Sequence, residues 1–239
     1  MSLRTWAAWG VHLYTAIGAP LALIALVASG QGWFGVAFVC MTIATFIDAT
    51  DGQLARRVNV KQVLPQFDGS RLDDIVDYLN YVVVPIVLAY QAGLLPAGFW
   101  GLAIASAPLI ASGYGFSLDE AKIADASSNY FFTGFPSYWN VVVFYLYAFG
   151  WPIFLNVIIV LTFSVLVFVP IRYLYPSRST IARGTTYVLG TTWAVMIVAL
   201  LWQFPEPSRP LAMISLFFPI YYIVMSLYAH FRVTPATGS

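Results

Sequence analysis

Charged residues are scarce in this chain: Asp, Glu, Lys and Arg together make up 9% of the sequence. A soluble domain carries about a quarter charged residues, so this chain cannot cover a folded surface with hydrated side chains. Its formal net charge of +1 provides no basic surface for nucleic acid. A single cysteine, Cys40, excludes an internal disulfide, a zinc ribbon and an iron–sulfur cluster. A water-soluble globule, a disordered chain and a nucleic-acid binder are all disfavoured.

Apolar residues are abundant instead, at 60% of the sequence. A transmembrane helix needs about 20 of them in succession. Eight such runs lie between Gly, Pro and charged residues, at about 11–29, 33–56, 72–92, 98–116, 138–150, 152–173, 182–203 and 211–231. The loops are short and no internal repeat is visible. We therefore predict an all-α, polytopic integral membrane protein with a single domain over residues 1–239.

The distribution of the basic residues along the chain is consistent with eight spans. With the N-terminus in the cytoplasm, Arg209 lies outside and the other ten lie on the cytoplasmic side: Arg4, Arg56, Arg57, Lys61, Arg71, Lys122, Arg172, Arg178, Arg183 and Arg232. Such a bias follows the positive-inside rule and predicts cytoplasmic N- and C-termini. The first run is too long for the apolar region of a signal peptide, so we expect it to remain as a span.

Acidic residues are concentrated in a short part of the chain. Six of the ten are Asp48, Asp51, Asp68, Asp73, Asp74 and Asp77. A charge at the centre of a membrane helix costs about 2.5–3.5 kcal/mol, and neighbouring acids also repel one another. The cluster is therefore expected where a cation, water or a ligand compensates it.

Helical spacing places these acids on two faces. The second span carries one face made of Asp48, Asp51, Gly52, Ala55 and Arg56, and the third carries a face made of Gly69, Asp73 and Asp77. Because the connection over 57–68 is short, the two spans are predicted to be antiparallel neighbours. Four carboxylates then converge at the inner membrane interface, beside a hollow left by the two small residues.

Carboxylate oxygens suit Mg²⁺, Mn²⁺ or Ca²⁺, and no His or Cys lies nearby in the sequence to favour zinc or iron. Four aspartates can hold two divalent ions. Two ions beside a small-residue hollow and an arginine suit phosphoryl transfer, in which one carboxylate takes a proton from the nucleophile.

Each of these residues, taken alone, also has another possible interpretation. Asp73 could form a capping box with Ser70, Gly52 and Ala55 could serve helix packing, and Arg56 could be a positive-inside anchor. A cation transporter is a further alternative, but it predicts acids distributed over several spans at the bilayer midplane. Here the acids cluster on two helices near one interface.

The pattern Asp48-x2-Asp51-Gly52-x2-Ala55-Arg56, followed by Gly69-x3-Asp73-x3-Asp77, resembles the signature of the CDP-alcohol phosphotransferase family. The connection between Arg56 and Gly69 is longer than in most of its members. The resemblance implies transfer of a phospho group from a CDP-linked donor to an alcohol, with release of CMP. It implies a metal-binding role for Asp48, Asp51, Asp73 and Asp77, the role of general base for Asp77, and CDP binding by Gly52, Ala55, Arg56 and Gly69.

A narrower resemblance is to the bacterial phosphatidylcholine synthase subfamily. It rests on the longer loop, on the segment 65–77 and on the segment 131–140. It implies CDP-diacylglycerol and choline as substrates, Mn²⁺ or Mg²⁺ as cofactor, a homodimer, and a bacterial inner membrane with the active site on the cytoplasmic side. Serine, glycerol phosphate and inositol or its phosphate are the alternative acceptors.

A quaternary ammonium group is usually held by aromatic faces. Tyr81 is the best candidate for a choline contact, because it lies one turn beyond Asp77 on the same helix face, and Tyr138 and Trp139 are further candidates. Possible counter-charges are Asp119, Glu120 and Asp125.

Overall fold

Helices make up most of the structure. The computed structural model describes residues 2–118, 122–124, 130–174 and 182–232. Its helices, in chain order, are α1 (Leu3–Ala16), α2 (Gly18–Gly30), α3 (Phe34–Val58), α4 (Val60–Val63), α5 (Gly69–Asp77), a π-helical segment (Tyr78–Val83), α6 (Val84–Gln91), α7 (Phe99–Ser117), α8 (Trp139–Phe149), α9 (Ile153–Leu166), α10 (Arg183–Leu201), α11 (Arg209–Ser215) and α12 (Phe217–Arg232).

Within the described residues, five helical stretches are long and apolar enough to cross a membrane: Leu3–Gly30, Phe34–Val58, Phe99–Ser117, Arg183–Leu201 and Arg209–Arg232. The chain from α5 through the π segment to α6 is also helical throughout. Two further apolar helices, α8 and α9, have 11 and 14 residues. Each of the eight predicted runs thus contains at least one helix, and the prediction of an all-α polytopic membrane protein is confirmed.

The sixth predicted run does not form a single helix. α9 ends at Leu166, and the chain continues into a short strand at Arg172–Leu174. The prediction of a span over 152–173 is therefore wrong in its last third. Pro170 accounts for the difference, because proline lacks an N–H and disfavours helical geometry at the preceding residue.

A small antiparallel sheet, which the sequence did not predict, joins distant parts of the chain. Its strands are β1 (Lys122–Ala124), β2 (Tyr130–Thr133) and β3 (Arg172–Leu174), in the order β1-β2-β3. Phe131 pairs with Leu174 and Thr133 with Arg172. Helix α12 covers β3: Leu174 N donates to Ser226 Oγ at 3.1 Å, and Arg172 N donates to His230 Nδ1 at 3.2 Å. These side chains satisfy backbone groups that a strand edge leaves unpaired.

Helix α1 packs against both α3 and α5, and α2 lies along α3 and the π segment. α3 ends at Val58, because the following residue, Asn59, has a left-handed backbone (φ 55°) that stops the helix. Asp68 then starts α5 by accepting hydrogen bonds from the backbone N–H groups of Ser70 and Arg71. Since Asp68 and not Ser70 caps this helix, the capping-box interpretation of Asp73 is wrong.

Gly18 allows the first two helices to approach the third span. A side chain at this position would overlap Val76 Cγ1 on α5. The close approach lets Asn80 Nδ2 donate to the backbone oxygen of Gly18 at 2.9 Å. Helices α1, α3 and α5, together with the π segment, therefore surround the region that holds the acidic residues.

Candidate active site

Three aspartates meet between α3 and α5. Carboxylate oxygens of Asp48, Asp73 and Asp77 lie within 4.8 Å of one another, and all three residues are partly buried. Like charges at this separation repel strongly in a partly dehydrated setting. The set consists of hard oxygen donors, which fits a divalent cation such as Mg²⁺ or Mn²⁺.

Asp51 lies next to this group and is more deeply buried, at 7% exposure. Thr15 on α1 donates a hydrogen bond from Oγ1 to Asp51 Oδ2 at 2.7 Å. A cavity of about 10 Å³ lies among the four aspartates and is also lined by Thr15 and Tyr81. A cavity of this size is close to that of a single water molecule, so the four carboxylates surround a space of ionic dimensions.

The π segment brings a tyrosine to the acids. Tyr81 is buried, and its hydroxyl donates to Asp48 Oδ2 at 2.7 Å. π-helical turns occur frequently at functional sites, since the inserted residue alters which side chains face a neighbouring helix. The bond joins α3 to the third span and shows that the two predicted neighbours do pack together.

A larger cavity opens beside the acids, with a volume of about 760 Å³. Asp51, Asp73 and Thr15 line both cavities. The larger one is also lined by the four positions for which the family resemblance implies CDP binding, namely Gly52, Ala55, Arg56 and Gly69. Its volume lies within the range of small-molecule sites, about 300–1,000 Å³.

Acidic and basic residues both line this larger cavity. The acids are Asp51, Asp68 and Asp73, and the bases are Arg56 and Lys61. A Cβ added to Gly52 would lie 3.4 Å from Arg56 Nη1, so the guanidinium group extends over the glycine. Gly52 and Ala55 have little or no side chain, so a phosphorylated ligand in the cavity can approach the backbone of α3 near the carboxylates and the cations.

The three aromatic candidates have different surroundings. The Tyr81 and Tyr138 rings are 6.0 Å apart, and Tyr138 in turn lies 6.1 Å from the ring of Tyr222 on α12. Trp139 is fully buried; its indole nitrogen donates to Ser112 Oγ at 2.8 Å, and its ring packs on Phe135. Asp119, Glu120 and Asp125 lie outside the described residues.

Sequence reasoning missed the contribution of α1. Thr15 and His12 both line the larger cavity, although they belong to a different span from the signature residues. A histidine in an apolar span is rare and usually has a function, which was the available signal. The contact itself was not visible, because it depends on the packing of α1 against α5. Tyr222 gave no comparable signal, since aromatic residues are common at membrane interfaces.

The fold and site are those of a membrane protein with partly buried carboxylates, suited to divalent cations, beside a cavity lined by basic and small residues. A comparison with family models agrees: the CDP-alcohol phosphatidyltransferase model matches residues 11–227. The chain belongs to the CDP-alcohol phosphatidyltransferase family.

Curated relatives extend over most of the chain. It is 39% identical over 230 residues to a phosphatidylcholine synthase of Legionella pneumophila, covering 93% of this chain and 88% of the relative. It is 36% identical over 217 residues to the phosphatidylcholine synthase of Legionella bozemanae, covering 88% and 98%. A phosphatidylcholine synthase of Rhizobium meliloti is 34% identical over 201 residues, covering 84% and 81%.

Proposed function

We propose that the chain is a phosphatidylcholine synthase, which transfers the phosphatidyl group of CDP-diacylglycerol to choline and releases CMP. The observation that carries the proposal is the set of Asp48, Asp73 and Asp77 within 4.8 Å, beside a cavity of about 760 Å³ lined by Gly52 and Arg56. Membership of the family supports the donor, and the relatives named for phosphatidylcholine synthesis support choline as the acceptor.

In the proposed reaction, the choline hydroxyl oxygen forms a bond to the phosphorus that carries diacylglycerol. The bond from this phosphorus to the bridging oxygen breaks, and CMP leaves with that oxygen. Asp77 accepts the hydroxyl proton, and Arg56 and Lys61 hold the nucleotide phosphates. A divalent ion, Mn²⁺ or Mg²⁺, bound by Asp48, Asp51, Asp73 and Asp77 would neutralise the diphosphate; we expect two such ions.

We assign the choline contact to Tyr81 and Tyr138. Their ring centroids lie 6.0 Å apart, and the Tyr81 hydroxyl bonds to Asp48, so a quaternary ammonium group held against this pair of rings would lie close to the acids. Trp139 is fully buried and bonded to Ser112, which favours a packing role for this third candidate.

The function is tested with purified full-length chain, CDP-diacylglycerol and Mn²⁺, by measuring CMP release with each of choline, serine, glycerol phosphate, inositol and inositol phosphate. We expect release with choline, formation of phosphatidylcholine, and loss of both on chelation of the metal. Release that depends on another alcohol and not on choline would overturn the assigned acceptor and leave the family chemistry intact.

We also propose that the site faces the cytoplasm of a bacterium, across its inner membrane. Support comes from Arg56, Arg57, Lys61 and Arg71 around the acidic helices. In a Cys40→Ser background, Gln66→Cys should react with an impermeant thiol reagent from the cytoplasmic side only, and Glu206→Cys from the opposite side only. The reverse result would show that the chain has the opposite topology.

The expected homodimer stays a prediction, which the mass of the purified protein in detergent would test.

A further inference from the structure

His12 on α1 lies against Gly69 at the start of α5. A Cβ added to Gly69 would be 2.6 Å from His12 Cε1, closer than side chains can pack, and 3.1 Å from His12 Nδ1. Gly69 is one of the signature positions, and here its missing side chain is what makes room for the imidazole. The glycine and the histidine therefore form one packing unit, although they lie on different spans and far apart in the sequence.

The imidazole is buried and incompletely bonded. His12 has 7% of its surface exposed, and among the described residues its Nε2 has no hydrogen-bond partner. A buried polar atom without a partner is costly, and such atoms usually have one. His12 lines the larger cavity although its Nε2 is itself enclosed, so a rotation of the imidazole would present Nε2 to a molecule that fills the cavity and can supply the missing partner.

The long connection between α3 and α5 holds this histidine in place. The His12 and Phe67 ring centroids are 4.3 Å apart, and Trp9 packs edge-on against Phe67 at 5.3 Å. Phe67, Pro65 and Lys61 come from the connection, and all three line the same cavity as His12. The connection is thus packed as part of the cavity wall, with the imidazole between it and Gly69.

We propose that His12 is a nucleotide-binding residue of the donor site, whose Nε2 hydrogen-bonds the cytidine nucleotide, and that Gly69 is required because it accommodates this imidazole. The proposal rests on the proposed function for the identity of the donor. It assigns to α1 a direct part in donor recognition, in addition to the part played by the signature helices.

The first test measures CMP binding to the purified full-length chain by calorimetry with Mn²⁺ present. His12→Phe keeps an aromatic ring against Phe67 and removes Nε2, and we expect it to weaken CMP binding about tenfold. His12→Gln places an amide near the position of Nε2 and should restore affinity to within about threefold. His230→Phe, the matched control on α12, should bind CMP like the unmodified chain.

The second test uses Gly69. If the glycine is needed to accommodate His12, then Gly69→Ala should weaken CMP binding, and adding His12→Ala should cause no further loss, because both changes remove the same contact. If the glycine instead makes room for the nucleotide itself, the two losses should add. Additive losses, or unchanged CMP affinity in His12→Phe, would overturn the proposal.

CMP binding needs no alcohol, so an error about choline leaves both tests valid. If the unmodified chain fails to bind CMP with Mn²⁺, the donor site and the proposed function fail together. If the unmodified chain binds and only the expected differences between variants are absent, the proposed function stands and the assignment of His12 is wrong. Melting temperatures of all variants identify any that lose CMP binding through unfolding.

Discussion

At the scale of single residues, neutral donors hold the buried acids in position. Thr15 donates to Asp51 at 2.7 Å, and Tyr81 donates to Asp48 at the same distance. Such bonds to a charged acceptor offset part of the cost of removing a carboxylate from water. Because neither donor carries a charge, the two bonds orient the carboxylates without neutralising them, which suits a site that binds a cation.

We expect replacement of Asp77 to leave the fold intact and to remove most of the activity. Asp77→Asn keeps the shape of the side chain and removes its ability to accept the choline proton, so choline-dependent CMP release should fall by at least about 100-fold. The melting temperature in detergent should stay close to that of the unmodified chain. Asp74→Asn changes a neighbouring acid that lines neither cavity, and it should retain activity. Near-normal turnover by Asp77→Asn would refute the assigned base.

At the scale of elements, the π segment holds two tyrosines with separate partners. The Tyr78 hydroxyl donates to the backbone oxygen of Leu109 on α7 at 2.9 Å, whereas Tyr81 donates to Asp48. Tyr81→Phe should lower turnover about tenfold, because Asp48 loses a hydrogen bond to a charged group. Tyr78→Phe is the matched control and should affect the melting temperature more than turnover. Equal turnover in the two variants would contradict this assignment.

The contact at Gly18 gives a prediction about stability. Gly18→Ala would force the new methyl group against Val76, separate the first two helices from α5 and destabilise the protein by about 1–3 kcal/mol. Gly10→Ala is the control, because nothing lies within 4 Å of the added carbon. Thermal unfolding in detergent compares the two variants, and a melting temperature of Gly18→Ala equal to that of Gly10→Ala would show that the contact is not required.

At the scale of the whole molecule, a bound cation should stabilise the fold. Asp48, Asp73 and Asp77 repel one another, and an ion that binds only the folded state adds stability by mass action, about 2.7 kcal/mol at 100 times its dissociation constant. Mn²⁺ should therefore raise the melting temperature, and the double variant Asp48→Asn/Asp73→Asn should abolish that rise. An equal rise in the double variant would place the ion elsewhere.

Much of this architecture could be predicted because it is local in the chain. Apolar runs between charged residues gave the helical spans, and the helical period placed Asp48 and Asp51 on one face of α3. The N-cap role of Asp68 was similarly open to prediction, since asparagine, aspartate and serine favour that position.

The parts that could not be predicted depend on contacts between distant residues. In the π segment, Tyr81 bonds to Asp48 on α3, 33 residues earlier in the chain. β3 forms after Pro170 and pairs with β2, a strand that precedes helices α8 and α9 in the chain. His12 enters the cavity wall because α1 packs against α5. None of these contacts produces a periodic pattern in the sequence.

Every described residue that lines the two cavities belongs to the chain from Val11 to Tyr81. During translation, every residue of the proposed donor site has therefore been added to the chain once Tyr81 has been incorporated. Tyr138 and Tyr222, next to one another in the finished protein, are added much later. A nascent chain could thus form the cavity proposed for the nucleotide before Tyr138 and Tyr222 have been made.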